Sequence, residues 1–255
     1  MIHLKLTIAY DGTELVGWQR QLNGPSVQAL IEDALTPLEG GPVAVAGAGR
    51  TDSGVHALGQ VASVTLHREI APAAVVRALN NHLPRSVRVL SAEEVGPEFH
   101  ARFNAHRKTY RYRIWNGEVL DPFERSYVWQ VADRALDVLA MAAAAGYLPG
   151  RHDFAAFQGS GSTVETTIRT ISSSVVTAVD MPRGGSLISY EVSGDGFLRY
   201  MVRSIVGSLV EIGRGRRPPG WMNDVLVARK RGGAGRTAPA TGLFLVSVEY
   251  QNPDL

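Results

Sequence analysis

The 255-residue chain contains no cysteine. Disulfides, thiolate nucleophiles and thiolate zinc sites are therefore excluded together. No apolar run approaches the roughly 18 residues needed to cross a bilayer. The opening MIHLKLTIAYDG lacks the basic start, apolar middle and small-residue cleavage site of a secretory signal, so a cytoplasmic protein without a membrane partner is expected. Also missing are a P-loop lysine, G-x-S-x-G and H-E-x-x-H, which removes support for the common nucleotide-binding, hydrolase and metalloprotease readings and leaves no cofactor or metal constellation. What is present is an ordinary globular composition, 45% hydrophobic and 20% charged, long enough for one large domain or two modest ones.

The formal net charge of +2 hides an asymmetry. Residues 1–97 carry 7 Lys and Arg against 9 Asp and Glu, whereas residues 98–255 carry 19 against 15. Two stretches, Phe99 to Gly117 and Val225 to Thr241, hold five and four basic residues and no acid. Such blocks suit a polyanionic partner; the plainer reading is a solvated, arginine-rich face.

Periodicity then orders the chain. HLKLTIAY reads as a strand, SVQALIEDALTPL as a helix capped by Ser26, PVAVAG and GQVASVTLH as strands, APAAVVRALNNHL as a helix stopped by Pro84, and VRVLSAEEV as a strand. The pattern restarts with KTYRYRIW (strand), DRALDVLAMAAAAGYL (helix), TIRTISSSVVTAVD and SLISYEVSG (paired strands), FLRYMVRSIVGSLVEIG (helix) and GLFLVSVEY (strand). This is β-α-β-β-α-β twice over. It predicts an α+β protein of two ferredoxin-like halves, 1–104 and 105–255, with largely antiparallel sheets meeting at a central cleft.

The loop AGRTDSGVHALGQ, Ala48 to Gln60, falls between two strands of the first half. It misses the dinucleotide fingerprint because Asp52 stands where the third glycine belongs, and a carboxylate there repels pyrophosphate. Gly47 and Gly49 permit close approach of a planar ligand, and Gly54 lets the chain leave in a left-handed conformation. Asp52 then sits at the loop apex. A competing reading has it closing an Asx-turn over Ser53 and Gly54. His56 has no ligand partner at useful spacing and reads as a structural hydrogen-bonding residue.

GAGRTDSGVHALGQV closely resembles the active-site motif of the tRNA pseudouridine synthase A family, whose core is R-T-D-x-G-V-H. YDGTELVGWQRQ, FHARFNAHRKTYRYRI, GFLRYMVRSIVGSLVEIGRGRRPP and APATGLFLVSVEY are similar to further family segments, in order. The resemblance implies the pseudouridine synthase fold and the isomerisation of uridine to pseudouridine without a cofactor. It makes Asp52 the catalytic carboxylate, Arg203 its paired arginine, Tyr110 the aromatic residue against the uracil, Leu243 an apolar pocket residue and Arg50 the residue that displaces the target base. It also implies tRNA as partner, positions 38 to 40 of the anticodon stem-loop as targets, and a homodimer. Ser53 departs from the Ala of many relatives.

The residues suit that chemistry. A carboxylate can attack C1′ or C6 of the nucleotide, or stabilise charge developing on the ribose. Burial under a base raises a carboxyl pKa by up to about 3–5 units, and a neighbouring Arg offsets about 1–3. In a helix running from Leu198, Arg203 falls at the edge of the apolar stripe, where it can point into a cleft or snorkel. Two alternatives stay open: the same chemistry on another RNA, and a non-catalytic RNA-binding protein.

Overall fold

A computed structural model describes residues 1–161, 164–182, 184–230 and 232–251. In chain order the elements are β1 (Ile2–Tyr10), α1 (Val27–Glu39), β2 (Val45–Gly47), β3 (His56–Leu66), α2 (Pro72–His82), β4 (Val87–Glu94), β5 (Ala105–Asn116), β6 (Trp129–Gln130), α3 (Val138–Ala145), β7 (Gly150–Asp153), β8 (Ile168–Asp180), β9 (Ser186–Gly194), α4 (Met201–Gly213), α5 (Trp221–Ala228) and β10 (Leu243–Tyr250). The fold is α+β. The chain divides into two compact units, residues 1–106 with the segment from Phe244 onward, and residues 107–243.

In the first unit, β1 alternates strictly, burying Ile2, Leu4, Leu6, Ile8 and Tyr10 on one face. It pairs antiparallel with β3 on one side and β4 on the other. The outer edge of β3 is shared: β10 runs parallel to its start, with Phe244 opposite His56 and Leu245 opposite Ala57, and β2 runs antiparallel to its later part. Helix α1 buries Val27, Ile31, Ala34 and Leu35 at helical spacing, and the Ser26 hydroxyl caps it by accepting from the Ala29 N–H. Helix α2 opens on Pro72, where a missing N–H costs nothing, and buries Val75 and Leu79.

In the second unit, β5, β9, β8 and β7 form an antiparallel series, with Tyr110 opposite Val192 and Tyr112 opposite Tyr190. The short β6 lies parallel to the end of β5. Helix α4 is buried on nearly every side, only Arg203 and Glu211 of its thirteen residues being partly exposed. Such a helix belongs to a core rather than a surface. Gly207 explains how the chain beyond α5 docks on it: an added Cβ would stand 1.7 Å from the Arg236 carbonyl oxygen. The Ser208 hydroxyl accepts from the Gly235 N–H at 2.9 Å.

Three expectations change in detail. Helix α4 starts at Met201 rather than near Leu198, because Tyr200 takes a left-handed φ of 62° that no helix continues through. Arg203 is thus in the first turn of α4, at one of its two partly exposed positions. Helix α3 starts at Val138, where the Asp137 carboxylate accepts from the Ala140 N–H at 2.9 Å. The closing strand, read with the second half, pairs with β3 of the first unit. No helix among the described residues is long and apolar enough to cross a membrane.

Candidate active site

In the first unit, residues 48–56 pass from β2 into β3 as a loop held by main-chain and side-chain hydrogen bonds. The Val55 N–H donates to the Asp52 carbonyl at 3.1 Å, and Gly54 at the third position of that turn has φ 76°, the left-handed value of a type II turn. The turn is thus closed by a main-chain bond. The segment after β1 braces the loop from outside: Trp18 N–H donates to the Thr51 carbonyl at 3.1 Å, and Gly54 N–H to the Leu15 carbonyl at 3.2 Å. The Ser53 hydroxyl donates to the same Leu15 oxygen. Tyr10 Oη and Thr51 Oγ1 share a hydrogen bond of 2.8 Å in the core, where burial pushes the phenol pKa up to about 12. Asp52 itself is half-buried and Arg50 is exposed.

His56 is 1% exposed and has the structural role expected of it. Its Nδ1 accepts from the Gly12 N–H at 3.0 Å, and its ring stacks on Phe244 at 4.7 Å. Asp11 Oδ1, which accepts from the Thr13 N–H and hydroxyl, lies 3.2 Å from the same nitrogen. The loop is tied through this imidazole to the start of β10.

Two glycines let the brace come so close. A Cβ on Gly12 would stand 2.1 Å from the Val55 carbonyl oxygen; one on Gly17, whose φ is 104°, would stand 2.5 Å from that of Thr51. Gly17→Ala is expected to cost about 1–3 kcal/mol of stability and to lower kcat more than it weakens tRNA binding. Thermal melting and single-turnover kinetics measure the two; an unchanged kcat in the destabilised variant would show that this segment does not place Asp52.

The second unit holds Tyr110, Arg203 and Leu243. Tyr110 is 7% exposed on β5, its ring meeting Phe197 edge-on at 5.0 Å. Arg203 Nε donates to the Ala238 carbonyl at 2.7 Å, while the Ala238 N–H donates back to the Arg203 carbonyl at 3.1 Å. Its guanidinium lies 4.9 Å from the centre of the Tyr200 ring, which the Arg199 guanidinium approaches at 4.8 Å. A cation in the first turn opposes the helix dipole at a cost of about 0.3–1 kcal/mol, so helix stability does not account for Arg203 being there.

Residues 238–243 form a strap around that arginine. Tyr112 Oη donates to the Pro239 carbonyl at 2.8 Å, Arg113 N–H to the Gly242 carbonyl at 2.8 Å, and Leu243 N–H, its side chain 5% exposed, to the Ala240 carbonyl at 2.9 Å. Burial drives the Tyr112 phenol far above its ordinary pKa despite the nearby Arg203 charge, so it remains a hydrogen-bond donor. Sequence reasoning missed Tyr200, Ala238 and the Tyr10 to Trp18 brace. The one signal was the density of glycine and aromatic residues in YDGTELVGW.

Comparison with known proteins bears on the same segments. A family model described as tRNA pseudouridine synthase matches residues 6–104 and 144–251. The chain belongs to the tRNA pseudouridine synthase family. The chain is 45% identical over 252 residues to the tRNA pseudouridine synthase A of Myxococcus xanthus, covering 99% of this chain and 93% of that protein. The corresponding protein of Moorella thermoacetica is 47% identical over 249 residues, covering 97% and 99%, and that of Acetivibrio thermocellus 44% over 250 residues, covering 98% and 100%. As a tRNA pseudouridine synthase the chain is a tRNA-modifying isomerase, and the Asp52 loop and the Arg203 turn both lie inside the matched residues.

Proposed function

We propose that this synthase isomerises uridines at positions 38 to 40 of the tRNA anticodon stem-loop, with Asp52 as its catalytic carboxylate. The observation that carries the reading is the loop itself. It presents an acid next to an exposed arginine on a turn that main-chain bonds hold in place. Preorganisation of this kind is what charge stabilisation in a transition state requires.

The reaction breaks the N1–C1′ bond, turns the uracil and joins C5 to C1′. C5 loses a proton and N1 gains one, so the isomerisation is redox-neutral, transfers no group and calls for no cofactor. An ionised Asp52 oxygen serves attack on C1′, attack on C6, or stabilisation of charge on the ribose on a glycal route. Arg203 supplies the positive charge that keeps a carboxylate ionised beneath a base, Tyr110 stacks on the uracil and Leu243 lines the pocket. The enzyme acts in the cytoplasm as a homodimer. Incubation with tRNA carrying C5-tritiated uridine releases tritium into water, and sequencing then finds pseudouridine at 38–40. Release without modification there would relocate the target, and no release would reduce the chain to an RNA binder.

Arg50 has the task of replacing the target base in its helical stack, where extrusion costs a few kcal/mol. Arg50→Ala is therefore expected to slow turnover of uridines within a stem more than of uridines in a loop, compared as kcat/KM on matched stem and loop substrates. Equal losses on both would remove this role.

A further inference from the structure

Beside the Asp52 loop the first unit carries a second feature, which shares only Arg50 with the machinery assigned above. Trp18, Gln19, Gly47, Arg50, His100, Arg102 and Phe103 line an open cleft of about 230 Å³, below the roughly 300–1,000 Å³ of a small-molecule site. Its charged lining is two arginines, with no acid among the lining residues. At its rim Phe103 is 76% exposed.

The turn that presents this ring is rigid. His100 N–H donates to Asn104 Oδ1 at 2.7 Å, Arg102 N–H to His100 Nδ1 at 3.1 Å, and Asn104 N–H to the His100 carbonyl at 3.1 Å. Ala101, fully buried, anchors it from below. Its N–H donates to Ser63 Oγ and its carbonyl accepts from Tyr250 Oη at 2.7 Å. The Phe103 ring is steadied by the His100 imidazole at 4.3 Å and the Arg102 guanidinium at 5.7 Å. An exposed apolar ring flanked by an imidazole and a guanidinium, with an open cleft next to it, has the form of a surface that stacks a base and binds its phosphate.

We infer that the His100–Asn104 turn is a platform for one unpaired nucleotide of the RNA, its base stacked on Phe103 and its phosphate met by Arg102. The inference rests on tRNA being the substrate. It adds a contact to RNA outside the reacting uridine, made by the first unit alone.

The test measures binding of the full chain to fluorescently labelled tRNA by anisotropy across a salt series, with Phe103→Ala, Phe103→Leu and Phe103→Tyr. Loss of one stacked base weakens binding about 5- to 100-fold. Phe103→Ala and Phe103→Leu are expected to show that loss at unchanged melting temperature, and Phe103→Tyr to recover most of it. Because the ring carries no charge, the slope of log Kd against log salt stays the same in all three. Full affinity in Phe103→Leu, or a loss accompanied by a shallower salt slope, would overturn the platform while leaving the enzyme's function intact. Failure of the unaltered chain to bind tRNA would overturn both.

Discussion

Asp52→Ala is expected to lower tritium release from C5-labelled uridine in tRNA by at least about 10³-fold, while tRNA affinity stays within a few fold. The separation follows from the geometry. The turn around Asp52 closes through the Val55 amide, and the Gly54 amide ties it to the Leu15 carbonyl. Asp52→Asn sharpens the test, since it keeps the size of the side chain and removes only its charge. If Asp52→Asn turned over like the unaltered enzyme, an ionised oxygen would not be the catalyst. If either variant lost tRNA binding in step with turnover, the residue would be holding RNA instead.

Arg203→Ala is expected to reduce kcat by about 10²–10³-fold. Arg203→Lys returns charge without the planar fork and loses the Nε–H bond to Ala238, so it is expected to recover only part of the rate. The decisive measurement is the double variant. If the two act as one unit, Arg203→Ala should cost little more in an Asp52→Asn background. Fully additive losses would dissolve the pair and leave Arg203 as an RNA contact or a clasp for the 238–243 strap.

Local signals carried most of the architecture. The alternation of β1, the Ser26 cap of α1 and the apolar spacing of α2 are written in consecutive residues, and the elements stand where those patterns put them. The start of α4 was not legible, because the left-handed turn at Tyr200 occupies a non-glycine residue and so gives no composition cue. The surroundings of Arg203 were equally hidden: Ala238 lies 35 residues away along the chain and offers only its main chain, which no sequence pattern marks. The acidic loop announced itself by its motif. Its brace did not, since Leu15 and Trp18 support it through backbone groups and Gly12 and Gly17 through the absence of a side chain.

The parallel strand on β3 sets the order in which a nascent chain matures. Phe244 and Tyr250, which hold His56 and the Ala101 carbonyl from the far edge, leave the ribosome only after all of residues 107–243. At about 5–20 residues per second that delay is on the order of 10 s. During it the acidic loop lacks the support that reaches it through His56.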